Sequence, residues 1–334
     1  MGYNATVETL LQYDEPALRY KLRLNVLGED AESAEMRALQ EEIRQSTRAR
    51  TLLSEVDAEG NLPYHPYRKW VGAHWVLADL ADNYYPPGDE ALIPLRERQL
   101  EWLLHPKHLD SVPFIAGRAR RCASQEGNAL FSQLRLGLAD ERCDELAVWL
   151  VKWQWPDGGW NCDRRPEAEN SSFMESLVPL RALALHAQMT GNRESREAAE
   201  RAAEIFLKRR LFRRQSDGEV IERDFVVLHY PCYWHYDVLF GLKVMAEAGF
   251  IGDPRCEEGL DLLEEMRLAD GGFPATKKYY RKSWKGGTGR VLVDWGGTSK
   301  TRMNPFVTAD ALGVLKAAGR MQVGSTKEFQ LTKI

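Results

Sequence analysis

The sequence predicts an all-α fold: an α/α toroid of about five to six helical hairpins, with inner and outer helix rings. Three observations predict it. Amphipathic stretches of about 12–18 residues alternate with short turns rich in Gly, Pro and Asp, with almost no strand-like alternation between them. The reversal at residues 149–160, ending Pro156-Asp157-Gly158-Gly159-Trp160, recurs in weaker form at 262–273, ending Asp270-Gly271-Gly272-Phe273. The first helix of each pair is the more apolar and the second carries the Glu, Arg and Lys, as inner and outer rings require. An open solenoid is the alternative arrangement.

In chain order, residues 5–54 read as helical with a break at Gly28-Glu29-Asp30, and 57–66 form a loop. Expected helices then span 69–83 and 90–104, 124–138 and 141–153, 172–190 and 193–212, and 233–249 and 255–268. Residues 308–319 make a last helix without an evident partner. Residues 1–60 are expected to be an N-terminal helical extension packing on the toroid, and 61–334 the toroid itself. A basic, Gly-rich insertion at 274–304 interrupts the repeat. It spreads Lys277, Lys278, Arg281, Lys282, Lys285, Arg290, Lys300 and Arg302 around Gly286-Gly287-Thr288-Gly289, and Val291-Leu292-Val293 reads as a short strand. Such a loop suits phosphate, although no Walker A spacing is present.

At 334 residues, 44% hydrophobic and 28% charged, the chain can build a sizeable core. A net charge of −4 gives no reason to expect a nucleic-acid partner. Cys122, Cys143, Cys162, Cys232 and Cys256 contain no Cys-x-x-Cys pair, and the first residues lack a signal-peptide pattern, so a reduced, cytoplasmic protein is expected. No cofactor or metal is assigned. His229, Cys232 and His235 have a metal-compatible spacing, but Pro231 disturbs helical geometry there and no fourth ligand is evident.

Trp149, Leu150, Gln154, Gly158 and Trp160 resemble the QW motif of the squalene and oxidosqualene cyclases. Asp270-Gly271-Gly272-Phe273 and Cys232-Tyr233-Trp234 resemble the related protein prenyltransferase β-subunits. The resemblance covers roughly residues 65–320. It implies the α/α toroid, and a Gln154 side chain that ties an outer helix to the next inner one. The cyclases' Asp-x-Asp-Asp, the Asp-Asp-x-x-Asp of diphosphate binding and the prenyltransferases' zinc set are all missing. The resemblance therefore describes a single-toroid relative with a different reaction.

Alignment of the expected inner helices places Trp75, Asn128, Glu175, Asp237 and Asp310 at one level, converging on the mouth of a central cavity. Helix capping is the simpler reading of each acid. The densest cluster is His229, Tyr233, Trp234, His235, Tyr236 and Asp237. A carboxyl among aromatic rings is harder to ionise, a neighbouring His can position its proton, and aromatic faces stabilise cations. Asp237 is therefore the expected acid, with His235, Glu175 and Asp163 assisting. Trp160, His65, Tyr67, Trp70, His74, Trp75, Asn128 and Asp310 are expected to line the site. The leading expectation is a terpene-cyclase-like enzyme using carboxyl-initiated carbocation chemistry on an apolar, isoprenoid-class substrate, which leaves room for peripheral membrane contact. A glycoside hydrolase or polysaccharide lyase on the same toroid is one alternative, and a non-catalytic binding toroid is another. An open, polar groove favours sugar; acids that are all neutralised favour mere binding.

Overall fold

A computed structural model describes residues 2–282 and 289–323. The chain forms helices α1 (Tyr3–Leu11), α2 (Pro16–Asn25), α3 (Ala34–Gln45), α4 (Thr47–Leu52), α5 (Ala73–Asp82), α6 (Ile93–Leu103) and α7 (Pro106–Asp110). A two-stranded hairpin of β1 (Phe114–Ile115) and β2 (Arg118–Ala119) follows. Then come α8 (Ser124–Arg135), α9 (Glu141–Trp153), α10 (Phe173–Thr190), α11 (Arg193–Leu207), α12 (Val238–Glu247), α13 (Glu257–Glu265) and α14 (Pro305–Ala317).

These helices form an α/α toroid. The inner ring runs α5, α8, α10, α12, α14, α2, each packed on the next. It closes where Tyr20 and Asn25 of α2 meet Tyr84 just beyond α5. Helices α3, α6, α9, α11 and α13 lie outside their inner partners, and α1 reaches α13 through Tyr3 and Glu264. The N-terminal helices thus contribute the sixth inner helix, α2. Helix α8 approaches α10 closely because residue 127 is Gly: a Cβ there would lie 2.7 Å from the Pro179 nitrogen.

The two related turns share their backbone bonds and their ties to the next inner helix. Trp155 N–H donates to Gly159 O, and Leu268 N–H to Gly272 O. Trp160 N–H donates to Ser176 Oγ and Phe273 N–H to Thr308 Oγ1, each on the next inner helix. Asp157 and Asp270 carboxylates accept Ser171 N–H and Met303 N–H. Gln154 Nε2 donates to Gly158 O at 2.7 Å and to Ala198 O of α11 at 2.8 Å, while its Oε1 accepts from Arg201. The expected tie to an inner helix is therefore made by Trp160, and Gln154 joins outer helix to outer helix. In the second turn Arg267 takes over the bond to Gly271 O.

Several boundaries differ from the sequence reading. Helix α12 starts at Val238, because Asp237 is its N-cap and residues 233–236 are not helical. Residues 291–293 form no strand. Within the basic insertion Lys277 pairs with Asp224, Lys282 with Asp294 and Arg290 with Glu55. Lys285 and Gly286-Gly287-Thr288 lie outside the described residues. No described helix is long and apolar enough to cross a membrane.

Candidate functional site: the mouth and the axis of the ring

The inner helices run parallel, so their N-termini surround one end of the ring. Aromatic side chains line this mouth. Trp70 stacks on Tyr233 with centroids 3.9 Å apart and meets Trp75 edge-on at 4.6 Å. Tyr67 touches His74, Trp75 and Trp102, and His65 touches Trp102. His235 lies between Trp234 at 3.9 Å and Tyr279 at 3.5 Å, with Lys69 over both Trp70 and Trp234. Trp70, Trp75 and Tyr233 are buried, whereas Tyr67, Trp102, Trp234 and Tyr279 are half-buried and His65 is exposed.

Beside Tyr67 lies a polar centre of Cys122, Gln125, Cys162 and Glu175. Glu175 sits in the first turn of α10. Its Oε2 accepts Ser124 N–H at 3.1 Å, and Cys162 Sγ lies 3.7 Å from its Oε1. Burial pushes its pKa up. Glu126 nearby is fully buried and held by the Arg121 guanidinium.

The other end is different in kind. Midway along the ring, Lys21 of α2 donates to Asp310 of α14 at 3.0 Å. Lys243 of α12 donates to Asp310 at 3.0 Å and to Asp82 of α5 at 2.9 Å. Arg181 of α10 donates to Asp82 at 2.9 Å and to Glu247 at 2.5 and 2.8 Å. Three cations thus face three carboxylates at the axis. A cavity of about 30 Å³, bounded by Asp79, Asp82, Asn128, Arg181, Tyr233 and Lys243, holds little more than a water molecule. Beyond Lys243 and Asp310, a dimple of about 180 Å³ opens between Asn25, Tyr84 and Glu247. Burial pushes Asp79 well up, and the Asp82 charge adds to this. The cations around Asp82 hold it well down against its own burial.

The expected common level of five residues does not exist. Asp237 is an N-cap, Trp75 and Glu175 lie in first turns, and Asn128 and Asp310 sit deeper, facing the axis. Asp237 is 1% exposed: its Oδ1 accepts Phe240 N–H, while its Oδ2 accepts His229 N–H and lies 2.7 Å from His229 Nδ1. Burial pushes the His235 pKa down to about 3 and His74 to about 3, so both rings are neutral at neutral pH. Tyr236 donates to Leu211 O and packs among Phe173, Phe206 and Phe225, away from the mouth. Trp160 is buried and donates to Leu150 O. Asp163 is bound by Arg165, which brings its pKa to about 2.

Sequence reasoning missed Lys21, Asp79, Asp82, Arg181 and Lys243. Their signal was a charge inside an apolar run, as in Leu180-Arg181-Ala182 and Leu242-Lys243-Val244. It also missed Cys122 and Cys162, which are distant in sequence and share no motif.

No family model and no curated protein matches the chain. Among solved structures it is similar to an inactive variant of the α-1,6-mannanase GH76A of Salegentibacter sp. HEL1_6, in complex with α-1,6-mannotetrose. The identity is 13%, over 96% of this chain and 90% of that one, with a TM-score of 0.44. At that level the likeness carries no inference about chemistry. The resemblance to cyclases and prenyltransferases extends to the toroid and no further. The expectation of carbocation chemistry on an apolar substrate is corrected. Asp237 is committed to a helix cap, and the axis is ionic where an apolar chamber was expected.

Proposed function

We propose that the mouth binds a carbohydrate-class substrate and cleaves a glycosidic bond, with Glu175 as the carboxyl at the reacting centre. The observation that carries this reading is the arrangement of the mouth. Half-buried rings of Tyr67, Trp102, Trp234 and Tyr279 lie at the mouth, and Tyr67, in contact with Trp102, lies beside Gln125 and Glu175. Sugars present apolar ring faces for stacking and hydroxyls for hydrogen bonding, so a rim of aromatic faces around polar groups suits them. Glu175 is assigned by position. No Arg or Lys among the described residues forms an ion pair with it, whereas Asp163, Glu126, Asp82 and Asp310 each have a cationic partner.

A panel of oligosaccharides, with products read by mass spectrometry, tests the proposal. A substrate cleaved by the wild type should be turned over at least ~100-fold more slowly by Glu175→Gln. Trp234→Ala should chiefly raise KM. Unchanged turnover by Glu175→Gln would sink the assignment. The neutralised acids of the axis favour a second reading, a toroid that binds sugars without cleaving them. Binding without products would select it.

A further inference from the structure

We propose that Cys122, Cys162 and Glu175 form a binding site for a thiophilic divalent cation, zinc in the first instance. This deepens the reading of the mouth and rests on it, because the cation would sit in the same polar centre and Glu175 would serve the reacting centre as its ligand.

The three ligands come from three segments that fold together. Cys122 precedes α8, Cys162 follows the 154–160 turn, and Glu175 lies in the first turn of α10. A Sγ from each cysteine and one Glu175 oxygen all lie within 4.8 Å of one another. Around a tetrahedral zinc, bond lengths of about 2.3 Å to sulfur and 2.0–2.2 Å to oxygen put neighbouring ligand atoms roughly 3.5–3.8 Å apart. The observed 3.7 Å between Cys162 Sγ and Glu175 Oε1 already meets that spacing. Two thiols and one carboxylate select a soft or borderline cation over Mg²⁺ or Ca²⁺, which prefer all-oxygen shells.

The supporting bonds keep this geometry. Ser124 N–H holds Glu175 Oε2 and so turns Oε1 toward the thiols. Arg121 N–H donates to Asn161 O at 3.2 Å, joining the segment of Cys122 to that of Cys162. Asn161 Oδ1 accepts Asp163 N–H at 3.0 Å, which fixes the loop around Cys162. The three protein ligands leave a fourth position for water or a substrate hydroxyl, as in catalytic zinc sites. Both cysteines are half-buried, so a cation can reach them. Binding converts both thiols to thiolates and releases their protons to solvent.

The test uses the full chain, reduced and stripped with a chelator, titrated with Co²⁺ alone and then with Zn²⁺. The expected result is one Co²⁺ per chain with thiolate-to-cobalt charge-transfer absorption, displaced by Zn²⁺. Zn²⁺ should also shield Cys122 and Cys162 from alkylation in the wild type, a readout that needs no variant. Cys122→Ser and Cys162→Ser should abolish the absorption, and Glu175→Gln should weaken binding by more than the ~10–100-fold that loss of an outer-shell partner costs. No thiolate absorption, or unshielded cysteines, would overturn the site, as would a Cys122–Cys162 disulfide in freshly purified protein. If the cobalt signal is absent while Glu175→Gln still loses turnover, the metal site fails and the reading of the mouth stands. A full cobalt signal with no carbohydrate bound would do the opposite, upholding the metal site and sinking the carbohydrate reading.

Discussion

The mouth and the axis of this ring are both polar, and both are built on the same inner helices, yet they differ in how their groups are presented. At the axis, each charge comes from an inner helix and ends on an opposite charge from another inner helix. Lys21, Lys243 and Arg181 meet Asp310, Asp82 and Glu247 with none left over. At the mouth, the groups come from loops and first turns, and Glu175, Cys122 and Cys162 form no ion pair among the described residues. A buried charge that is matched holds helices in register; groups that converge without counter-ions are available to a ligand. The axis therefore reads as the hub of the fold, and the mouth is the end at which we propose that a ligand binds.

The largest effect should follow from breaking the hub. Arg181 is 8% exposed and bonds to Asp82 on one side and Glu247 on the other. Arg181→Met removes the cation and leaves the Asp82 carboxylate under-compensated inside the ring. Such a loss costs about 3–5 kcal/mol. Urea unfolding should show a fall of that size in the midpoint-derived stability. A change below about 1 kcal/mol would mean that Lys21 and Lys243, which also bond to Asp82, compensate it without Arg181.

Asp79 and Asp82, one turn apart on α5, sharpen the contrast through pH. Burial raises Asp79 well above the ordinary 3.8. Its contribution to stability is therefore full below that value and is lost as pH rises through the folded-state value. Asp82 is lowered well below 3.8 by Lys21, Lys243 and Arg181. Its contribution is present above 3.8 and is lost as pH falls. Asp79→Asn should thus be more stable than the wild type at pH 7, with the gap closing toward pH 4. Asp82→Asn should be less stable at pH 7, with its deficit shrinking in acid. Unfolding curves at pH 7 and pH 4 check the first sign, and curves taken below pH 3.8, where the Asp82 contribution is lost, check the second. Because the Asp82 charge contributes to the Asp79 shift, the double variant should not be additive.

The ring was legible in the sequence because periodicity and turn chemistry are local. The Pro156-Asp157-Gly158-Gly159 turn and its relative at 270–273 announce one repeated unit, and the structure repeats its backbone bonds and its tie to the next inner helix. What periodicity could not set was the level of a residue along its helix. Asp237 and Asp310 fall into one frame by their leucines, but the first caps α12 while the second is six residues beyond its own cap, Asn304. Cap chemistry decides helix starts, and residues 233–236 are held outside α12, where Tyr233 packs on Trp70 and Tyr236 on Phe173. Nor could one sequence bring Cys122 to Cys162, since their meeting depends on how the 154–160 turn docks against β2: Trp155 Nε1 donates to Ala119 O at 2.7 Å.

The smallest effect concerns Asp237, where a cap and an acid make opposite forecasts. Asn is as good an N-cap as Asp, so Asp237→Asn can keep the bond from Phe240 N–H through its amide oxygen. The loss is then the charge facing the His229 ring and the Oδ2 acceptor of the His229 N–H. Asp237→Asn, which leaves the His229 N–H without this acceptor, should cost about 1–2 kcal/mol, and Asp237→Ala, which also abolishes the cap, should cost more. Turnover of any carbohydrate substrate should be unchanged in Asp237→Asn, because the carboxyl is closed off by His229 and the start of α12. A loss of turnover without loss of stability would return Asp237 to the reacting centre and shift the working end from α10 to α12.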